Sequence, residues 1–335
     1  MARFTMAIVG AGELLGNELV EVLEQRETPI DDLRLLATEE TAGTRVPFKQ
    51  EELRVEKLTE QAFDGIDVAF FCGGTETSRA FAPVAAQAGA MVIEMSGAFR
   101  RDAKIPVIVP EVNPHAIRRQ RGMIANPTAA TIPLVMALQP IHDEVGISRI
   151  VVSTYQAVSD AGKRGILELE TQIRHILTQR DVLCQVYPHQ IAFNCFPHIG
   201  GFLENGSTVE EQSVIEETRF ILQDDALRMA VTAVQVPVFY GHSASVNIET
   251  GDPITPDEIR KILADAPGVS VVDEPQNHLY PLPIDAAGQE AVFVGRIRQD
   301  DSVENGINLW IVADNLRRGA ALNAVQIAEL ALRGE

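Results

Sequence analysis

The sequence predicts an α/β chain of two domains: an N-terminal Rossmann-like domain on a parallel sheet, then an α+β domain on a mixed, largely antiparallel sheet. Three features point there. Phe4–Val9 is a short apolar run closed by Gly10-Ala11-Gly12, after which Leu14, Leu15, Leu19, Val20 and Leu23 recur at helical spacing. This is the pattern of strand, glycine turn and helix. Strand-like and helix-like segments then alternate over the first 125 residues, the signature of a parallel sheet covered on both faces. Beyond residue 145 the strands lengthen, alternate polar with apolar residues and are joined by long connections, as in an antiparallel sheet.

In chain order, Leu33–Ala37 reads as the second strand and Val68–Phe71 as the next, ending in Gly73-Gly74. Met91–Ile93 and Pro106–Val109 read as further buried strands. In the second domain Ser148–Tyr155 is a strand, Lys163–Thr178 and Val209–Gln223 are helices, and Ala230–Phe239, Ala244–Glu249, Val292–Arg298 and Gly306–Ala313 are strands. Gly319–Leu332 is an Ala-rich helix suited to close packing. At roughly 150 residues per domain, the 335 residues provide for two cores.

Lys and Arg number 28 and Asp and Glu 47, a net charge of −19. Such a chain repels phosphate unless a local basic patch intervenes, which argues against nucleic acid or an anionic membrane as partner. Only three cysteines are present, Cys72, Cys184 and Cys195, a count that fits a reducing compartment rather than a disulfide scaffold. The N-terminal apolar run passes straight into glycines and no run of about 18 apolar residues occurs, so the expected location is the cytoplasm. No His/Cys cluster has metal-ligand spacing. Cys195 and His198 flank Pro197, which argues against a helix bringing them together; Cys195 reads as a buried structural cysteine and Cys72 as packing beside the expected cofactor crevice.

Gly10, Gly12 and Gly16 stand where a dinucleotide meets a helix N-terminus, in a spacing one residue longer than the common fingerprint. A plain tight turn is the competing reading. Glu13 begins that helix. There it either gains about 0.3–1 kcal/mol from the helix dipole or stands in the place of a pyrophosphate.

Several segments together resemble aspartate-semialdehyde dehydrogenases over nearly the whole length. They are the glycine turn, Ser96-Gly97-Ala98-Phe99-Arg100, Val109-Pro110-Glu111-Val112-Asn113-Pro114, Asn126-Pro127-Thr128-Ala129-Ala130-Thr131, Ser153-Thr154-Tyr155-Gln156-Ala157, the PVFYGH run at 237–242, and Asp314 to Asn323. Within the family the chain is most similar to the Usg-type paralogues, which lack key catalytic residues. The resemblance implies a Rossmann-like domain over residues 1–128 and 319–335, and a catalytic and dimerisation domain over 129–318. It further implies a homodimer, NAD or NADP as cofactor, and reductive dephosphorylation of aspartyl phosphate or its reverse. In that reaction a cysteine thiolate attacks the carbonyl, a histidine moves protons and arginines grip carboxylate and phosphate.

The family's N-P-N-C-S-T reads here Asn126-Pro127-Thr128-Ala129-Ala130-Thr131, so Ala129 holds the nucleophile position. Loss of a nucleophile costs up to about 10⁶ in rate in an unrelated hydrolase. Gln235 holds the position of the carboxylate-gripping arginine and Ser213 that of a lysine; losing a charge-assisted bond costs about 1.5–3 kcal/mol. Retained matches are His242, Gln156, the substrate-contacting Arg100, Asn126 and Glu217, and Asn315 near the nicotinamide. Each has a plainer alternative, such as an Arg100–Glu111 pair or a His242 satisfied within its cleft.

On the cofactor side Gly10, Gly12, Gly16 and Gly73 remain, but Glu13 replaces a glycine. Glu40 replaces the arginine that would meet a ribose 2′-phosphate, which disfavours NADP. Asp160 replaces another glycine. Three readings follow. The first is a family member inactive in the family reaction that keeps the fold, the dimer and a ligand pocket. The second is an NAD(P)-binding oxidoreductase of altered chemistry on an aldehyde or alcohol. The third is a structural or interaction protein.

Overall fold

The structure, a computed structural model, describes residues 4–38 and 41–333. Contacts divide the chain into two compact units, Met1–Thr128 with Ala320–Glu335, and Ala129–Gly319.

The first unit is a seven-stranded sheet with helices. In chain order it comprises β1 (Phe4–Val9), α1 (Leu14–Gln25), β2 (Ile30–Ala37), β3 (Arg45–Phe48), β4 (Glu51–Lys57), β5 (Val68–Phe71), α2 (Thr75–Gln87), β6 (Met91–Glu94) and β7 (Met123–Ala125). The sheet order is β3-β4-β2-β1-β5-β6-β7. All pairs are parallel except β3 with β4. β1 and β5 form because Met6, Ala7, Ile8 and the whole of Val68–Phe71 are buried, the continuous apolar run that a strand covered on both faces requires. The chain leaves β1 toward β2 on one side and returns to β5 on the other. Their carboxyl ends therefore frame a switch point, where open α/β sheets bind ligands.

Pro106–Val109 is not a strand: only an isolated bridge, Val107 to Ala125, forms there. The Asn113 side chain takes up Val109 N–H and the Val107 carbonyl, groups a neighbouring strand would otherwise pair. The antiparallel β3–β4 edge hairpin carries no apolar run and was not legible in the sequence.

The second unit begins with α3 (Thr131–Val145) and β8 (Ile147–Gln156), followed by α4 (Gly162–Leu177), α5 (Val209–Leu222), β9 (Arg228–Gln235), β10 (His242–Thr250), α6 (Pro256–Ala264), β11 (Val269–Val271), α7 (Pro283–Ala286), β12 (Val292–Asp300) and β13 (Gly306–Ala313). Its six-stranded sheet has the order β11-β12-β13-β10-β8-β9, with antiparallel pairs at its centre and parallel pairs at both edges. Helix α3 packs between α5 and α6, and all three pack against the sheet. The other sheet face carries Val151, Tyr155, Thr232, Val234 and Trp310, half-buried or exposed.

The strand expected over Ala230–Phe239 begins earlier and stops at Gln235, two residues before Pro237, which has no N–H for a ladder. The helix expected over Gly319–Leu332 opens as a π turn at Arg317–Ala321 before α8 (Leu322–Arg333), which belongs to the first unit. Gly319 N–H donates to the Asp314 carbonyl five residues back, the bond that defines such a turn. Among the described residues no helix is long and apolar enough to cross a membrane.

Candidate functional site

In the first unit the residues singled out by sequence gather at the carboxyl edge of the parallel sheet. Gly10 follows β1 with φ +103, and a Cβ there would lie 2.6 Å from Gly73 N, just beyond β5. A Cβ on Gly16 would lie 2.5 Å from the Gly10 carbonyl. The two loops and the start of α1 are thus packed backbone to backbone, the close approach a dinucleotide cradle uses. Glu13 occupies the N-cap of α1 with extended backbone. Its carboxylate, together with the larger effect of burial, pushes the Cys72 thiol far above the ordinary thiol range. The backbone of the cradle fits a dinucleotide; its charge does not, because a carboxylate stands at the helix end that would meet the pyrophosphate. Glu40 lies outside the described residues.

Arg100 and Asn126 lie along the same edge. Arg100 Nε donates to the Asn126 carbonyl at 2.8 Å and Nη2 to the Met95 carbonyl at 2.9 Å. The Asn126 Oδ1 accepts from Asn323 Nδ2 of α8 at 2.7 Å, so Asn126 ties α8 to the end of β7. Glu111 accepts from Gln326 of the same helix.

In the second unit β8, β9 and β13 run one way and β10 the other, so three C-terminal ends meet the start of β10 at one edge. Register then fixes the neighbours: Gln156 faces Gln235, and His242 faces Ala313, one residue before Asp314 and two before Asn315. Gln235 Nε2 donates to the Gln156 carbonyl at 2.8 Å, and its backbone pairs with Phe196. Gln156 Nε2 reaches Glu210 Oε1 at 3.1 Å in the first turn of α5. Glu210 was not singled out from sequence, although Thr208 and Glu211 form a capping box that marks this helix start. Further along α5, Ser213 is half-buried and Glu217 buried, four residues apart on one face.

His242 is buried, with Nδ1 accepting from Ala157 N–H at 3.1 Å. Nδ1 is therefore bare, and the neutral ring carries its proton on Nε2. Burial pushes the imidazole down to about 3, against the opposing pull of the Asp314 carboxylate. The 3.9 Å separation between Nε2 and Asp160 Oδ1 is within ion-pair reach only for a charged ring. With the ring neutral, it is an N–H facing a carboxylate. Asn315 Oδ1 accepts from Ser159 Oγ at 3.1 Å and from Gly241 N–H at 3.0 Å.

Ala129 lies just before α3 and packs on Gly319: a Cβ on Gly319 would meet the Ala129 Cβ and carbonyl at 3.1 Å. No cysteine takes its place. Cys72 is buried in the other unit and donates to the Val9 carbonyl. Cys184 is exposed, and so is Cys195, contrary to the expectation of a buried structural cysteine. The chain turns outward at Cys195 while Phe196 turns inward, and His198 stacks on Phe202 instead.

Two family models match the chain: the semialdehyde dehydrogenase NAD binding domain over 5–120 and the semialdehyde dehydrogenase dimerisation domain over 138–318. The chain is 48% identical over 334 residues to aspartate-semialdehyde dehydrogenase of Aquifex aeolicus, with 98% of each chain covered. It is 49% identical over 334 residues to that of Legionella pneumophila, covering 99% of this chain and 96% of the relative. Among solved structures, aspartate semialdehyde dehydrogenase II from Vibrio cholerae, complexed with ASA, superposes with a TM-score of 0.97 at 44% identity and 99% coverage of both chains.

The buried neutral histidine has a consequence for stability. Between pH 6.5 and about 3 the unfolded chain binds a proton at this ring that the folded chain does not, so stability falls as pH drops through that window. Urea unfolding should show wild type losing about 2 kcal/mol more than His242→Asn between pH 7 and pH 5. Equal losses would mean that the ring is not held neutral.

Proposed function

The chain belongs to the aspartate-semialdehyde dehydrogenase family, and we propose that it keeps the family's architecture without the thiol-dependent reaction its relatives are named for. One observation carries this reading: Ala129 stands at the N-terminus of α3, at the position that matches the family's nucleophile. A helix start favours a thiolate by stabilising its charge, but a methyl group has no electron pair to give. Cys72 cannot substitute, since its buried thiol resists ionisation and only the thiolate is a nucleophile.

The surrounding groups support the same conclusion. Gln235 and Ser213 bring no positive charge to the end of the sheet, where the family has an arginine and a lysine to hold a substrate carboxylate and phosphate. His242 presents a proton-bearing Nε2 and does not serve as a base there. Glu13 puts a carboxylate at the helix end that would meet a pyrophosphate, which weakens nicotinamide nucleotide binding. Relatives sharing nearly half their residues share the fold; the reaction depends on the few side chains in the site.

The second unit pairs two copies of the chain through the sheet face that α3, α5 and α6 leave bare. Tyr155 and Trp310, whose rings lie 5.6 Å apart, form the centre of that face. Light scattering should show a dimer for wild type and a monomer for Trp310→Arg; a monomeric wild type would refute the pairing.

Purified protein given aspartate semialdehyde, phosphate and either NAD or NADP should reduce no nucleotide above the protein-free rate. Sustained phosphate-dependent reduction overturns the reading. Calorimetric titration with each nucleotide tests the alternative oxidoreductase: binding of neither at millimolar concentration excludes it.

A further inference from the structure

Helix α4 has two opposed faces. Ile166, Leu169, Ile173 and Ile176 recur every three or four residues and close a small core with Val158, Ile191 and Phe196. Arg164, Leu167, Thr171 and His175 recur in the same way on the other side and line a cleft of about 220 Å³. Its second wall is the strap of residues 183–186, through Leu183, Gln185 and Val186. Two buried side chains of the helix hold the strap. Glu168 Oε2 accepts from Gln185 and Val186 N–H at 2.8 and 2.6 Å, and Oε1 from Tyr187 N–H at 3.3 Å. Gln172 Nε2 donates to the Leu183 carbonyl at 2.9 Å. No residue lining this cleft takes part in the sheet-edge site.

These bonds decide what the cleft offers a ligand. Much of the strap's backbone is engaged and both Glu168 oxygens are taken, so a ligand meets the remaining side chains. Leu167 on the helix and Leu183 on the strap stay 57% and 63% exposed, and covering them favours an apolar occupant. Arg164 is exposed, lines the cleft and forms no ion pair among the described residues. His175 lies eleven residues on, roughly 16 Å along the helix axis. Its Nδ1 sits 2.8 Å from the Asp181 carbonyl. A carbonyl only accepts, so Nδ1 carries the proton and the ring is held in place. The volume falls below the about 300–1,000 Å³ of pockets that take drug-sized molecules, so the occupant is small.

We propose that the cleft between α4 and the 183–186 strap binds a small apolar monocarboxylate, its carboxylate on Arg164 and its hydrocarbon body against Leu167 and Leu183. A guanidinium holds a carboxylate by two parallel charge-assisted bonds. An ammonium group meets the like charge of Arg164. A dicarboxylate has nowhere to put its second charge: among the described residues no lysine and no other arginine lines the cleft, and an anion against the leucines loses its hydration without recompense. The site goes beyond the function proposed above, and nothing in it requires or excludes dehydrogenase chemistry.

The test uses the full chain with histidine rings labelled, and isocaproate, isocaproamide, acetate and glutarate as probes at equal ionic strength. The ring resonance of His175 is assigned by its loss in His175→Gln. Isocaproate should shift it along a saturable curve. Arg164→Gln should raise the isocaproate midpoint at least about tenfold, the loss expected for a charge-assisted bond, and Leu167→Ala should raise it several-fold. Both positions are exposed, so the variants keep the fold. Isocaproamide, which lacks the charge, acetate, which lacks the apolar body, and glutarate, which carries two charges, should each bind at least about tenfold more weakly than isocaproate. An isocaproate response that never saturates overturns the proposal. So does an Arg164→Gln midpoint equal to wild type, or any of the other three probes saturating at or below the isocaproate midpoint.

Discussion

The carboxylate of Asp314 holds the functional edge of the second unit together. It sits almost fully buried just beyond β13 and accepts from the backbone N–H groups of Leu316, Arg317 and Gly288, at 2.7–2.8 Å. Several charge-assisted bonds of this kind offset the cost of burying a carboxylate. The consequences run outward from this turn. The Asp314 carbonyl takes the Gly319 N–H, which closes the π turn and sets Gly319 against Ala129. Asn315, held next in line, clasps the loop before α4 and the start of β10. Asp314 also pulls against the burial that keeps His242 neutral.

That framework is indifferent to which side chains it displays. β8 and β9 bring residues 156 and 235 level with each other whether the latter is an arginine or a glutamine, and here Gln235 uses its amide on the Gln156 backbone. The loop leading to Phe196 is equally well built. The Glu168 carboxylate receives Gln185, Val186 and Tyr187 N–H, and Gln172 receives those of Ile191 and Ala192. On the function proposed above, the fold keeps its supports while Ala129, Gln235 and Ser213 stand where the family has cysteine, arginine and lysine. Both units show this. In the first, the glycine cradle keeps its close backbone contacts while Glu13 occupies the anion-facing helix end.

The extent to which this was legible in the sequence depended on what kind of interaction decided each element. β1 and β5 read correctly because solid burial on two faces leaves an unbroken apolar run. The end of β9 was misjudged because Val236, Val238 and Phe239 prolong the apolar character past the point where Pro237 ends the ladder. Pro106–Val109 looked like a strand for the same reason, yet its polar groups are met by the Asn113 side chain. Cys195 reads as buried on composition but faces out, since its direction depends on a loop pinned by Glu168 and Gln172 on a distant helix. At the site, the substituted positions could be recognised one by one. The approach of Asp160 to His242 could not, because those residues are 82 positions apart in sequence (242 − 160) and are brought together by bonds from Ala157 to His242 and from Ser159 and Gly241 to Asn315.

The central claim is that this chain has the framework for semialdehyde chemistry and lacks the side chains for it at five positions. Its most direct test is the ratio of phosphate-dependent turnover between Glu13→Gly/Ala129→Cys/Gln235→Arg/Ser213→Lys/Asp160→Gly and the wild type, measured side by side with NAD. The account predicts a ratio of several orders of magnitude, on the order of the roughly 10⁴–10⁶ that catalytic groups contribute in enzymes of covalent mechanism. A ratio near one, whether both proteins turn over or neither does, contradicts it.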